Sequence, residues 1–529
     1  MNIFSFSPFG YEGALVTVEV DLRRGIPAVD IVGLADGAVK EARERMQAAI
    51  RNSGFEFPVE RVLISLSPAD LKKEGAGFDL PLALGVLVAK ELSEGVEGFI
   101  SEPLLVMGEL ELSGKIRPVK GIHAAVSTAA AGGILRCIVP LQNADEAREV
   151  SGVQVYGADT LENAFRALKD YSFYETRNKT KGDSFLPAGC TSLDGVYFAA
   201  MEEGYEYAHL KGQRQLVRAL QIAAAGGHNL LAVGAPGCGK TMAIQKFPAI
   251  NPLLTLEEAQ SVTRIWSLAG LIKPSEPLIR IPPFRIPHQT SSIEGICGGG
   301  QNCRPGEISL AHNGVLFLDE AAEFRSSVLQ MLRVPLENGS ITLSRAGRTT
   351  SYPAGFQLLM AANPCPCGNY GSSSKICLCS TKSIEQYWKK FSAPLLDRID
   401  LRVFVNNLNE GNSDEAEQDQ QGEKTGLSTT AEIRTGIARA VKAQRKRQGI
   451  KNSKLNPQEI VQFCETSNQT KRILDRAVDR YGFSPRAIAS CLKVSRTIAD
   501  IAGEERINEE HMKEAVEFRR LCTNLLPEF

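Results

Sequence analysis

The sequence predicts a mixed α/β chain of several domains built around a nucleotide-binding core. Three observations carry this. A glycine-rich loop, residues 234–241, follows an apolar run and precedes a helix-like stretch. A second apolar run, Val315–Leu318, ends in the adjacent carboxylates Asp319 and Glu320. Between two polar stretches, strand-like and helix-like patterns alternate.

Length and composition bound the rest. The 529 residues suffice for roughly three to four domains. A content of 43% hydrophobic and 23% charged residues is that of a soluble globular protein and excludes a disordered chain. No apolar run spans a bilayer, and the start "MNIFSFSPFG" lacks a charged segment followed by an apolar one. A cytoplasmic protein with no membrane partner is therefore expected. The 12 cysteines, without a secretory signal, point to reduced or metal-bound thiols. The net charge of −1 gives no global sign of nucleic-acid binding, which leaves local patches to supply any.

In chain order, residues 1–170 form a first domain. The stretch 171–195, "YSFYETRNKTKGDSFLPAGCTSLDG", lacks periodicity and reads as a linker. Residues 196–405 form the core. Residues 406–428, rich in Asp, Glu, Gln, Gly and Ser, read as an exposed insertion, and 429–529 complete the chain. No short repeat suggests a solenoid.

In the core, "LLAVGAPGCGKTMAIQ" fits GxxxxGK[ST] in the strand–loop–helix context that a phosphate loop requires. Glycines let backbone N–H groups turn toward phosphate oxygens at the positive end of a helix dipole. Gly234, Pro236, Gly237, Cys238, Gly239, Lys240, Thr241 and Met242 are the expected contacts with ATP. Lys240 would reach the β- and γ-phosphates, and Thr241 would ligate Mg2+. The continuous apolar run before Asp319 reads as a parallel strand buried on both faces. Asp319 can hold magnesium through water, while Glu320 can orient and deprotonate an attacking water. Two carboxylates there favour hydrolysis over binding alone. "GFQLLMAANP" is another buried strand, ending in Asn363.

Directly after Asn363, Cys365, Cys367, Cys377 and Cys379 form a CxC–x9–CxC pattern. Four thiolates match a closed, structural tetrahedral Zn2+ site, although CxC is tighter than the usual CxxC. The other reading is a reduced loop with free thiols. Two loops bear on what the core acts on. "GSITLSRAGRTTSYPAG" reads as a hairpin that turns between Arg345 and Arg348. "PHQTSSIEGICGGGQNCRPGE", residues 287–307, is too glycine-rich for a core. The basic run "RTGIARAVKAQRKRQGIK" reads as a solvated face.

"KGQRQLVRALQIAAAGGHNLLAVGAPGCGKT", "PGEISLAHNGVLFLDEAAEF", "LRVPLENG", "AANPCPCGNYG" and "PLLDRIDL" together resemble the magnesium-chelatase-related AAA+ ATPases of the YifB/ComM type. The resemblance covers nearly the whole chain. It implies an AAA+ core with a helix-2 insertion at 287–307 and a hairpin before the sensor 1 strand, both facing a ring pore, followed by a C-terminal helical lid. It makes Asn363 sensor 1, Arg398 an arginine finger acting in the neighbouring subunit's site, and Arg486 the sensor 2 arginine. Arg345, Arg348 and His288 become candidate DNA contacts. The family's second histidine is Gln289 here, which leaves that position without its usual role. Members carry a similar cysteine loop.

The function implied is that of a homo-hexameric motor driving branch migration of single-stranded and branched DNA during natural transformation, with recombination proteins as partners. The alternatives are a magnesium-chelatase-like motor and a chaperone-type remodelling ATPase. Against the first stands the lack of a DxSxS segment. Against the second stands the lack of an aromatic–hydrophobic pore pair.

"GELELSGKIRPVKGIHAAVSTAAAGGILRCIVPLQNADEA" resembles the protease domain of Lon. Lon-type proteolysis needs a serine activated by a lysine. Residues 75–79, Gly–Ala–Gly–Phe–Asp, carry no hydroxyl, and His123 stands where the lysine is expected. Residues 1–170 thus read as a Lon-like α+β domain without peptidase chemistry, serving assembly or partner binding.

Overall fold

A computed structural model describes residues 2–34, 36–73, 75–176, 186–210, 213–300, 303–345, 348–371, 375–405 and 428–520. Residues 406–427 of the polar insertion and the hairpin tip, 346–347, lie outside them.

The core sheet has five parallel strands in the order Phe284–Arg285, Val315–Leu318, Gln357–Ala362, Leu230–Gly234, Leu401–Val405. Every residue of the three central strands is buried, as their uninterrupted apolar runs require. The first strand in sequence lies between the last two. Connections leaving its C-terminal end therefore diverge, and an open α/β sheet binds ligands in the crevice this creates. The phosphate loop sits there.

Residues 287–306 leave the sheet edge as an excursion. The short helix Ile293–Cys297 is followed by the paired strands Gly298–Gly299 and Arg304–Pro305, then by the helix Glu307–Leu310. Further on, Ser340–Arg345 pairs with Arg348–Pro353 in a two-stranded hairpin, with Arg345 opposite Arg348. The backbones of those two arginines are described; their side chains are not.

The N-terminal part is built on an eight-stranded mixed sheet. The helices Gly37–Asn52 and Asp79–Ser93 cover one face, and Ile122–Ala131 covers the other. Glu175–Thr176, inside the stretch read as a linker, pairs antiparallel with Gln154–Ala158 as the sheet's last strand. Tyr174 is buried beside it, its ring close to that of Tyr156. An aromatic pair fixes this edge where composition alone suggested open chain.

The C-terminal part is helical. Thr430–Arg447 begins in a capping box between Thr429 and Glu432 and packs with Pro485–Ala502 on the core helix Arg214–Gly226. Its basic run is solvated at Arg439, Lys442, Arg445 and Lys446, as expected, but not throughout. Arg434 is buried and donates to the carbonyls of Ala249 and Ala199, at 2.7 and 3.0 Å, and Arg447 pairs with the buried Asp500 at 2.8 Å.

The N-terminal part is docked on the core. Arg264, on the core helix Leu256–Ala269, donates to the Tyr11 carbonyl at 3.0 Å and to Thr128 at 2.9 Å. Tyr11 meets Tyr352 of the hairpin edge-on, with centroids 6.1 Å apart.

Candidate nucleotide site, cysteine clamp and arginine cleft

The phosphate loop adopts the shape its glycines permit. Gly239, at φ 87°, is left-handed and directs the chain into the helix Lys240–Gln245. Lys240 is buried, and its ammonium donates to the carbonyls of Gly234 at 2.7 Å and Ala235 at 2.9 Å. Asn363 Oδ1 lies 3.5 Å from the same nitrogen. Burial pulls the Lys240 pKa below the ordinary lysine value. The ammonium thus rests on the loop's own carbonyls, weak partners that phosphate oxygens can replace.

Thr241 Oγ1 donates to Asp319 Oδ1 at 3.0 Å. The same oxygen accepts from the Glu320 N–H at 3.0 Å, while Glu320 itself is left-handed at φ 48°. Two residues 78 apart in sequence are therefore placed as a pair that can share one cation. Glu320 is exposed beside them. Pro236, Gly237 and Met242 are exposed around the loop, and Cys238 is buried beneath it.

The four cysteines converge. Their sulfurs all lie within 4.8 Å of one another, with Cys365 to Cys367 at 3.4 Å, Cys365 to Cys377 at 3.7 Å and Cys367 to Cys377 at 3.6 Å. A regular tetrahedron with metal–sulfur bonds of about 2.3 Å has sulfur–sulfur edges of about 3.8 Å. The donor set fits zinc. The Tyr370 N–H donates to the Cys365 sulfur at 3.3 Å, and the Trp388 indole anchors the loop on the Pro364 carbonyl at 3.0 Å. The Asn369 N–H and the Cys365 thiol bring Cys367 down to about 6. The loop also leans on the phosphate loop: a Cβ at Gly368 would stand 2.4 Å from Pro236 Cδ.

Arg398 and Arg486 are not at this end of the sheet. Both donate to Glu337, Arg486 at 2.9 Å, in a cleft also lined by Asn229, Gly314 and Gln357, where the strands begin. His288 is near the sheet's other end, its ring 2.8 Å from Thr290 Oγ1. In the N-terminal part, His123 is buried against the core. Its Nε2 lies 2.6 Å from Gln260 Oε1, its backbone N–H donates to Glu146 at 2.9 Å, and burial lowers its pKa to about 4. Asp79, beside the region without a hydroxyl, is buried and held by Arg45 at 2.7 Å.

Family models cover most of the chain. "Magnesium chelatase, subunit ChlI" matches residues 206–413, "Subunit ChlI of Mg-chelatase" residues 18–143, and "Magnesium chelatase, subunit ChlI C-terminal" residues 427–519. The competence protein ComM of Haemophilus influenzae is 37% identical over 522 residues, 98% of this chain and 97% of that protein. The chain belongs to the YifB/ComM type of magnesium-chelatase-related proteins. YifB of Escherichia coli is 37% identical over 97% of this chain and 95% of its own length. A Lon protease of Rhizobium meliloti matches more briefly, at 24% identity over 26% of this chain and 17% of that protein.

Two contacts of this YifB/ComM-type chain have no counterpart among the sequence expectations. Gln289 donates its amide to Glu320. Glu337 carries both arginines. The segments that hold Gln289 and Glu337 carry no signal for these partners, which only the folded contacts reveal. No described helix is long and apolar enough to cross a membrane.

Proposed function

We propose that this protein is a cytoplasmic ATP-hydrolysing ring motor, a homo-hexamer that drives branch migration of DNA. One observation carries the ATPase reading: Lys240, Thr241, Asp319 and Asn363 meet at the C-terminal end of the parallel sheet, with Glu320 beside them. Lys240 gives up its carbonyl partners for the β- and γ-phosphates. Magnesium, held by Thr241 and through water by Asp319, would neutralise charge on those phosphates. Glu320 takes the proton of the attacking water, and Asn363 helps to position that water.

Arg398 and Arg486 serve the neighbouring subunit's nucleotide, because their own phosphate loop is at the other end of strands about 16 Å long. An arginine supplied in trans stabilises charge developing on the γ-phosphate. The four cysteines hold one zinc ion whose role is to fix the loop behind Asn363. The Lon-like domain works without peptidase chemistry, as a docking platform for ring assembly or a recombination protein.

The DNA reading is supported by whole-length similarity to a protein named for competence and by the arginines at the hairpin end. A rival, remodelling of a partner protein, draws on the magnesium-chelatase family models. ATP turnover measured without DNA, with single strands and with branched junctions separates them. Turnover stimulated by junctions that are also resolved into migrated products supports the motor. Turnover indifferent to every DNA supports the rival.

A further inference from the structure

Glu337 lies near the end of the short helix Arg333–Asn338, and its two carboxylate oxygens hold two different arginines. Oε2 accepts from Arg398 Nη2, and Oε1 accepts from Arg486 Nη2 at 2.9 Å. Arg398 precedes the last core strand, whereas Arg486 opens the helix Pro485–Ala502 of the C-terminal part. All three line a cleft of about 910 Å³, together with Lys451, Lys454 and Lys493.

Exposure differs across the trio. The Glu337 side chain is 51% exposed and that of Arg398 only 10%. Arg398 Nε is buried without an acceptor. The guanidinium is therefore incompletely satisfied, while the anion that holds it faces solvent. Arg398 first, then Arg486, pulls the Glu337 carboxyl below the ordinary carboxylate range.

We propose that Glu337 is an internal counter-anion, occupying within one subunit the place that the terminal phosphate of the neighbouring subunit's nucleotide takes in the ring. This rests on the reading of Arg398 and Arg486 as trans-acting. Arginine recognises carboxylate and phosphate through the same fork of donors, and phosphate brings more charge and more acceptor oxygens. Ion pairs with an exposed partner are weakly held, so the exchange is cheap. Glu337 raises the nucleotide concentration at which neighbouring subunits engage, and a ring whose sites are empty keeps its arginines masked. A merely structural Glu337, pinning the C-terminal helices to the core, predicts the opposite sign on removal.

The test uses the full chain and ATP titrations at a series of protein concentrations. Glu337→Gln is expected to lower KM for ATP about threefold to tenfold and to need less protein for half-maximal turnover. Glu337→Ala should move both quantities the same way, which covers the case in which the glutamine variant fails to fold. Glu337→Asp, which keeps the carboxylate, should restore a KM near the parent's. A KM equal to or above the parent's in both charge-removing variants, with Arg398→Ala inactive, overturns the role of Glu337 alone. Parental turnover in Arg398→Ala overturns the trans reading and this proposal with it.

Discussion

Arg486 donates to Glu337 at 2.9 Å, on the carboxylate that also holds Arg398. An arginine of the C-terminal helices and one of the core loop thus share an anion at the end of the sheet opposite the phosphate loop. Lys240, on the same chain, faces the other way. This geometry keeps both arginines away from their own phosphate loop, and the proposal that they act on a neighbouring subunit's nucleotide follows from it.

Mixing tests that division. Arg398→Ala and Lys240→Ala subunits should each lose turnover by about a thousandfold or more when pure. Mixed rings contain interfaces in which an intact loop meets an intact arginine, so some turnover should return. Arg486→Ala should complement Lys240→Ala in the same way. If no ratio recovers activity, the arginines do not act across subunits.

Glu320→Gln should bind ATP and lose hydrolysis by about 10² to 10⁴-fold, because the amide keeps the shape but cannot take a proton. Bound nucleotide should remain as ATP, trapping assembled rings. Appreciable turnover in the purified variant would remove Glu320 from the proton transfer. Gln289, whose amide donates to Glu320, makes the carboxylate's orientation a second quantity to watch in any structure with nucleotide.

The contrast between Glu320 and Glu337 shows what the sequence makes legible. Asp319 and Glu320 end a continuous apolar run, and such runs have little choice but a buried parallel strand. The meeting of Asp319 with Thr241 follows from motif and topology together. Glu337 stands in "LENG", one carboxylate among many at a helix end, and its partners lie 61 and 149 residues away. His123 is similar. The resemblance to Lon puts it where a lysine is expected, but its contact with Gln260 is set by how the N-terminal part docks on the core. Periodicity reports which face of an element is buried, not what will lie against it.

For the cysteine clamp, protein purified without chelators should contain about one zinc per chain, lost together in Cys365→Ser/Cys367→Ser. Structural zinc is worth on the order of 10 kcal/mol in small isolated domains, but here it would order only one loop of a large core. The fold should therefore survive. Because Gly368 leans on Pro236, loosening the loop should raise KM for ATP about fivefold, equivalent to roughly 1 kcal/mol. Metal analysis that finds no zinc or other metal in the parent protein would assign the four cysteines as free thiols.

The hairpin supplies the last prediction. Its backbone pairs Arg345 with Arg348 where the two strands meet the turn. Its base is fixed: Tyr352 is buried and packs edge-on against Tyr11 of the N-terminal part, and the Tyr11 N–H donates to Thr350 at 3.3 Å. Substitutions at the far end therefore leave the hairpin's seat intact. If the two arginines follow a DNA backbone, each phosphate they neutralise releases counterions, and binding should weaken steeply with salt. Replacing both with Ala should make the logarithmic salt slope shallower by about 0.7 to 0.9 for each phosphate no longer neutralised, and should slow migration of a synthetic junction. Fluorescence anisotropy across a salt series, beside the junction assay, reads both quantities on the same protein. A double variant with the parent's slope and the parent's migration rate would place the DNA grip elsewhere, with His288 and the glycine-rich segment 298–300 the next residues to substitute.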